Sequence, residues 1–183
     1  MISGKIEFRI YAIIAIALIA TVTDLAKGKI FNALTLPGLV AGVLVASWFG
    51  GWRAGGDALL GAVAGLVLYG WMFWLRAMGG GDVKLLMAFG AWGGLHYAEE
   101  VAILGVLTGG ALSLLVLLFT GRIVDFVKRM HYFFLTLFVK ELEVEPPKID
   151  RKHAIPFGLP LSVAAVWVVL LDPFAKWGIH LWP

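Results

Sequence analysis

Apolar residues run along this chain in six uncharged stretches, 10–23, 30–52, 58–75, 85–98, 101–121 and 154–171, separated by short clusters of charged and small residues. A helix needs roughly 20 apolar residues to cross a hydrocarbon core about 30 Å thick. The second, third, fifth and sixth stretches reach that length almost unaided. The first and fourth do so only by taking in polar neighbours, Arg9 ahead of the first and Asp82 to Lys84 ahead of the fourth. The pattern predicts an all-α, polytopic membrane protein of about six transmembrane helices, built as one membrane-embedded domain over residues 1–183.

Between the fifth and sixth helices the pattern changes. Ile123, Val124, Phe126, Val127, Met130, Phe133, Phe134, Leu137 and Phe138 recur at helical spacing, while Arg122, Lys128, Arg129, Lys140 and Glu141 break the apolar run. That stretch is too charged to span, so 121–153 is predicted to be an amphipathic segment along the cytoplasmic interface followed by a loop. Pro146 and Pro147 end its helical part. Gly38 and Gly42, Gly61 and Gly65, and Gly105 and Gly109 form small-residue pairs one turn apart, which suit close helix packing. Most of the eight tryptophans lie near segment ends, as an interfacial belt requires. At the N-terminus, Lys5 and Arg9 precede an apolar core as in a signal peptide. Thr21-Val22-Thr23-Asp24 lacks the small-residue cleavage pattern, so the first helix is expected to be retained.

Composition agrees with this class: 61% of residues are hydrophobic and 15% charged, with a mean hydropathy of +0.91. With no cysteine in the chain, disulfides, thiolate nucleophiles and cysteine-held zinc are excluded. His96, His131, His153 and His180 show no ligand spacing, and neither a metal nor a cofactor is expected. The basic residues sit beside apolar segments, where membrane lipids account for them better than nucleic acid does. With six spans, eleven of the fifteen Lys and Arg fall on one side, which makes that side cytoplasmic. Lys5 and Arg9 pull locally the other way. The expected location is the cytoplasmic (inner) membrane, with both termini outside.

Asp24 and Asp82 then stand at the cytoplasmic ends of the first and fourth helices, at one depth. Ionisable groups at such positions are candidates for function. Two carboxyls a few ångströms apart do not readily both ionise, so they can share a proton, one acting as general base on a water while the other donates to a carbonyl oxygen. Gly79, Gly80 and Gly81 precede Asp82; as glycines they can take backbone conformations closed to other residues and let an extended substrate come near the main chain. A flexible hinge is the plainer account of them. Lys84 can meet an acidic group on a substrate or snorkel to headgroups. A small proton-coupled transporter also uses membrane acids, but near the midplane at broken helices, whereas these lie at one face.

The run Gly79-Gly80-Gly81-Asp82-Val83-Lys84-Leu85-Leu86 resembles the Gly-x-Gly-Asp motif of the prepilin peptidases and preflagellin peptidases. Asp24-Leu25-Ala26-Lys27-Gly28-Lys29-Ile30-Phe31-Asn32 resembles the same family's first motif, with Phe31 where the family usually has proline and with Asn32 retained. Ala154-Ile155-Pro156-Phe157-Gly158 resembles the start of its final helix. The resemblance implies an aspartyl endopeptidase with Asp24 and Asp82 catalytic and Gly79, Gly80, Gly81, Lys84 and Asn32 shaping the site. Its substrate would be a prepilin-like precursor, cut between a basic leader and an apolar helix. The zinc-binding cysteine cluster and the N-methyltransferase activity of bifunctional members have no counterpart here, so cleavage without methylation is expected. Presenilin-like intramembrane proteases share Gly-x-Gly-Asp, but they place a tyrosine before the other aspartate, where this chain has Thr23.

Overall fold

The computed structural model describes residues 3–75, 77–121, 123, 124, 127 and 157–171. Helices make up all of the regular structure among them: α1 Ser3–Lys27, α2 Asn32–Trp74, α3 Gly80–Gly93, α4 Leu95–Phe119 and α5 Gly158–Leu171. Three are long and apolar enough to cross a membrane, namely α1 over Phe8–Lys27, α2 and α4.

Within α2, Gly51 has φ 73° and ψ −170°. A positive φ ends a right-handed helix, and glycine accepts it without a Cβ clash. In a straight helix, residues 47 and 55 would lie about 12 Å apart. Here a Cβ built on Gly55 would come 3.3 Å from the Cα of Ser47, so the chain doubles back. The two arms, 32–50 and 52–74, correspond to the second and third apolar stretches.

The innermost helix, α3, lies against both arms. Leu85, Leu86, Ala88, Phe89 and Ala91 are fully buried on it. The contacts are backbone to backbone: a Cβ on Gly42 would lie 2.9 Å from the carbonyl of Ala91, and one on Gly65 2.8 Å from the amide nitrogen of Met87. Gly61 meets the backbone of both Gly90 and Gly94. Trp92 is buried rather than part of a belt, and its Nε1–H donates to the Gly38 carbonyl at 2.8 Å.

One expected boundary is corrected. The fourth apolar stretch, 85–98, is not a single pass: Gly94 takes φ 92° and ψ −176°, and residues 95–98 already belong to α4. Asp57 fixes the new start, its carboxylate accepting from Leu95 N–H at 3.2 Å. A turn made by two glycines carries neither charge nor proline, so an apolar run conceals it. The 14 residues of α3 are about 21 Å long.

Three polar tips find partners across helices. Tyr69 Oη donates to the Ala102 carbonyl at 3.0 Å, Tyr97 Oη to that of Ala165 at 2.8 Å, and Thr108 Oγ1 to that of Pro160 at 3.2 Å. Direction alternates along the chain. The last turn of α1, both outer ends of α2 and the starts of α3 and α5 therefore share one end, opposite the α2 bend and the α3–α4 junction.

Met1–Gly109 and Pro156–Pro183 form one compact unit, and Gly110–Ile155 a second. In the second, the described residues are the end of α4, where Thr120 Oγ1 donates to the Val116 carbonyl at 2.7 Å, then Gly121 at φ 68°, Ile123, Val124 and Val127. The rest of the predicted amphipathic segment 121–153 lies outside the described residues, as does Arg76.

Substituting the glycines separates packing from propensity. Gly61→Ala puts a methyl 2.6 Å from the carbonyl carbon of Gly94, and overpacking of this kind costs about 1–3 kcal/mol or more. Gly56 has nothing within 4 Å of the added atom, so Gly56→Ala should be neutral or stabilise by about 0.5–1 kcal/mol through helix propensity. Thermal unfolding of both variants in one detergent checks the contrast.

Candidate active site

Asp24 sits one turn before α1 ends. Gly28, at φ 61°, takes the left-handed conformation, and its N–H donates to the Asp24 carbonyl at 2.7 Å, the usual glycine closure of a helix. Lys29, Ile30 and Phe31 then carry the chain into α2. Phe31, which stands in the place of proline, has φ −79° and ψ 136°, a conformation proline itself would favour. The departure from the motif therefore leaves the turn's backbone in the expected region.

Asp82 lies in the first turn of α3, where the helix dipole suits an acid. Its N–H donates to the Gly79 carbonyl at 3.1 Å, and its carboxylate reaches back to the Gly79 backbone. Both acids are buried, Asp24 at 7% exposure and Asp82 at 8%, and they are near enough for the charge of Asp24 to act on Asp82. Burial of two acids within electrostatic reach of each other is an arrangement that can retain one proton between them.

The third motif arrives at the same place. At the start of α5, Gly158 N–H donates to Asp24 Oδ2 at 2.8 Å in a buried hydrogen bond. No larger residue fits there unchanged, because a Cβ on Gly158 would stand 2.6 Å from that oxygen and 2.9 Å from Ile30 Cδ1. Ile30 is shared between motifs, since a Cβ on Gly81 would lie 3.2 Å from its Cβ.

The glycines before Asp82 do not use the left-handed backbone region. None has positive φ; Gly79 precedes the helix in an extended conformation, at φ −76° and ψ 145°, and Gly80 and Gly81 are its first residues. Space beside Gly81 is taken by Ile30, and beside Gly80 by Phe73 at 3.2 Å. The protein's own side chains occupy that room. Gly79 is the exposed one, and a Cβ there would be 3.0 Å from Asp82 Oδ2. Lys84 turns to Asn32, Nζ donating to Oδ1 at 2.9 Å. Two residues far apart in the chain thus form one bridge between α2 and α3.

Gly158, Ile30 and Tyr69 complete the surroundings. Tyr69, buried on the second arm of α2, stands edge-on to Phe157 with ring centroids 6.1 Å apart and within electrostatic reach of Asp82. Its sequence context, one tyrosine in an apolar run, gave no indication of this. Among the described residues, no three His, Cys, Asp or Glu side chains are grouped to hold a metal.

Residues 11–139 match the type IV leader peptidase family. The prepilin leader peptidase/N-methyltransferase of Aeromonas hydrophila is 31% identical over 86% of this chain and 47% of its own length. Its counterpart in Xanthomonas campestris is 32% identical over 86% and 46%, and that of Pseudomonas aeruginosa 39% identical over 47% and 32%. The chain spans about half the length of the first two of these relatives, and no solved structure matches it.

The Gly158–Asp24 contact can be measured through stability alone. Gly158→Ala should destabilise by about 1–3 kcal/mol as its methyl meets the carboxylate. In an Asp24→Ala background the same change should cost roughly 1 kcal/mol less, as expected of touching residues. Additive costs in a double-mutant cycle of thermal unfolding would show that the two do not interact.

Proposed function

The chain belongs to the type IV leader peptidase family, and on that premise we propose that it is a membrane aspartyl endopeptidase that removes the basic leader of prepilin-like precursors. Asp24 and Asp82 form the catalytic pair. One, as carboxylate, takes a proton from a water molecule as its oxygen attacks the peptide carbonyl carbon. The other, protonated, donates to the carbonyl oxygen. The tetrahedral species then collapses, the C–N bond breaks and the leaving nitrogen takes up a proton. No covalent enzyme intermediate forms, and the step needs neither thiol nor metal.

The meeting of two buried acids at one end of the helices, each beside a backbone break, carries this reading. Gly79 to Gly81, Lys84 and Asn32 shape the rim of the pair. The chain crosses the cytoplasmic membrane about six times, the two arms of α2 counted separately and α3 and α5 included. The excess of Lys and Arg on the side of the acids supports an active site facing the cytoplasm. That is also where the junction between a basic leader and an apolar helix lies.

Asp24→Asn and Asp82→Asn should each lower leader removal by on the order of a thousandfold or more, as expected when one member of a unit acting together is lost. Both variants should remain folded, because an amide oxygen at position 24 can still accept from Gly158 N–H. A gel assay on a co-expressed prepilin, with a melting curve for each variant, reads both quantities. Near-normal turnover by either would sink the assignment.

Orientation has its own test. Single cysteines introduced at Lys27 or Lys148 should resist an impermeant maleimide added outside intact cells and react after permeabilisation. One placed at Arg53 should react at once. Labelling of position 27 from outside would overturn the shared cytoplasmic face.

A further inference from the structure

Two aromatic rings meet at the start of α5. Tyr69, buried on the second arm of α2 at 1% exposure, stands edge-on to Phe157. Both rings sink into α4 where that helix has no side chains: a Cβ on Gly105 would come 2.6 Å from Tyr69 Oη, and one on Gly109 would enter the Phe157 ring. The Tyr69 hydroxyl donates to the Ala102 carbonyl of α4. That bond fixes the ring between α4 and Phe157. It also commits the phenolic proton, so Tyr69 is not placed to protonate a substrate.

Phe157 matters because of the peptide group it shares with Gly158. That group supplies the N–H that donates to Asp24 Oδ2 at 2.8 Å. Helix α5 begins here, with the Phe157 carbonyl accepting from Leu161 N–H at 3.2 Å. The amides of a helix's first turn have no carbonyl of their own helix to hold them. The direction of the Gly158 N–H is therefore set by Asp24 itself and by what packs against Phe157. Tyr69 packs there while anchored on two other helices, and it lies within electrostatic reach of Asp82 as well.

We propose that Tyr69 is a positioning residue of the catalytic centre: bound to α4 through its hydroxyl, its ring holds Phe157 so that the Gly158 N–H stays on Asp24. The assignment rests on the peptidase reading and adds to it a residue too buried to touch substrate. Such a residue acts on kcat, since misplacing a reacting group by about 1 Å costs up to roughly a hundredfold in rate. It leaves KM alone, because it takes no part in binding the ground state. Tyr97 offers a matched comparison. It too is buried and donates to a carbonyl on another helix, that of Ala165, but about two turns beyond Gly158 along α5.

Leader removal by the purified full-length protein in detergent, followed over a range of prepilin concentrations, tests the assignment. Tyr69→Phe keeps the ring and removes only the hydroxyl; it should lower kcat roughly tenfold and leave KM unchanged. Tyr97→Phe should lower the melting temperature by a similar amount and keep wild-type kcat. In a Phe157→Leu background, Tyr69→Phe should cost little further kcat, as expected of two residues acting through one contact. Hydrogen exchange at the Gly158 amide, which needs no turnover, should quicken in Tyr69→Phe and not in Tyr97→Phe. Wild-type kcat in Tyr69→Phe, an equal loss in Tyr97→Phe, or unchanged exchange at Gly158 overturns the assignment and leaves the peptidase reading in place. A wild-type protein that leaves prepilin uncut overturns that reading, and the assignment with it.

Discussion

The whole arrangement hangs on backbone-to-backbone contact between α3 and the two arms of α2. Within a bilayer, lipid is as apolar as leucine, so helices gain little from hiding hydrophobic side chains from it, and close van der Waals approach has to hold them together. Gly42, Gly61 and Gly65 permit that approach because none presents a Cβ where Ala91, Gly94 and Met87 come within about 3 Å. The consequence reaches the site. α3 carries Asp82 on its first turn, so the depth and rotation of α3 in the α2 hairpin set where that carboxylate stands.

Asp24 is held by different means. It sits on α1, which closes at Gly28, and its side chain is tied to α5 through Gly158 N–H. The pair is therefore assembled from three helices whose ends meet, and each acid finds a backbone partner at a helix start or stop. Unpaired N–H groups at helix starts are natural partners for carboxylates. Ile30 fills the gap between the Gly81 and Gly158 turns, which couples the spacing of α3 and α5 through one side chain. This geometry explains how three short sequence motifs, far apart in the chain, can serve one constellation.

The two ends of the molecule divide their roles. At one end the acids are buried beside broken backbone. At the other, the bend at Gly51 borders a recess walled by Phe8, Arg9, Phe49 and Ala54, beside the exposed Trp48 and Trp52. Asp57 and Trp92 lock that end, the first capping α4 and the second joining α1 and α2 through its carbonyl and its indole N–H. Tight glycine packing along α3 connects the two ends.

The sequence by itself determined the helical class and the apolar runs, and it marked Asp24, Asp82 and the late Phe157-Gly158 pair as helix-end candidates, because hydropathy and the local chemistry of helix ends are properties of short segments. Glycine pairs also announced close packing, since their spacing of one turn is local. Only the tertiary structure decided which backbones those glycines meet, that the 85–98 run breaks at Gly94, and that Gly79 to Gly81 are non-positive in φ with their space filled by Phe73 and Ile30. The joining of Lys84 to Asn32, the approach of Gly158 to Asp24 and the presence of Tyr69 near Asp82 were likewise invisible beforehand. Each depends on residues distant in the chain coming within a few ångströms, and no local pattern encodes which helix faces which. A run of uncharged residues reports that a segment prefers a low-dielectric surrounding; the partners it meets there are fixed by shape.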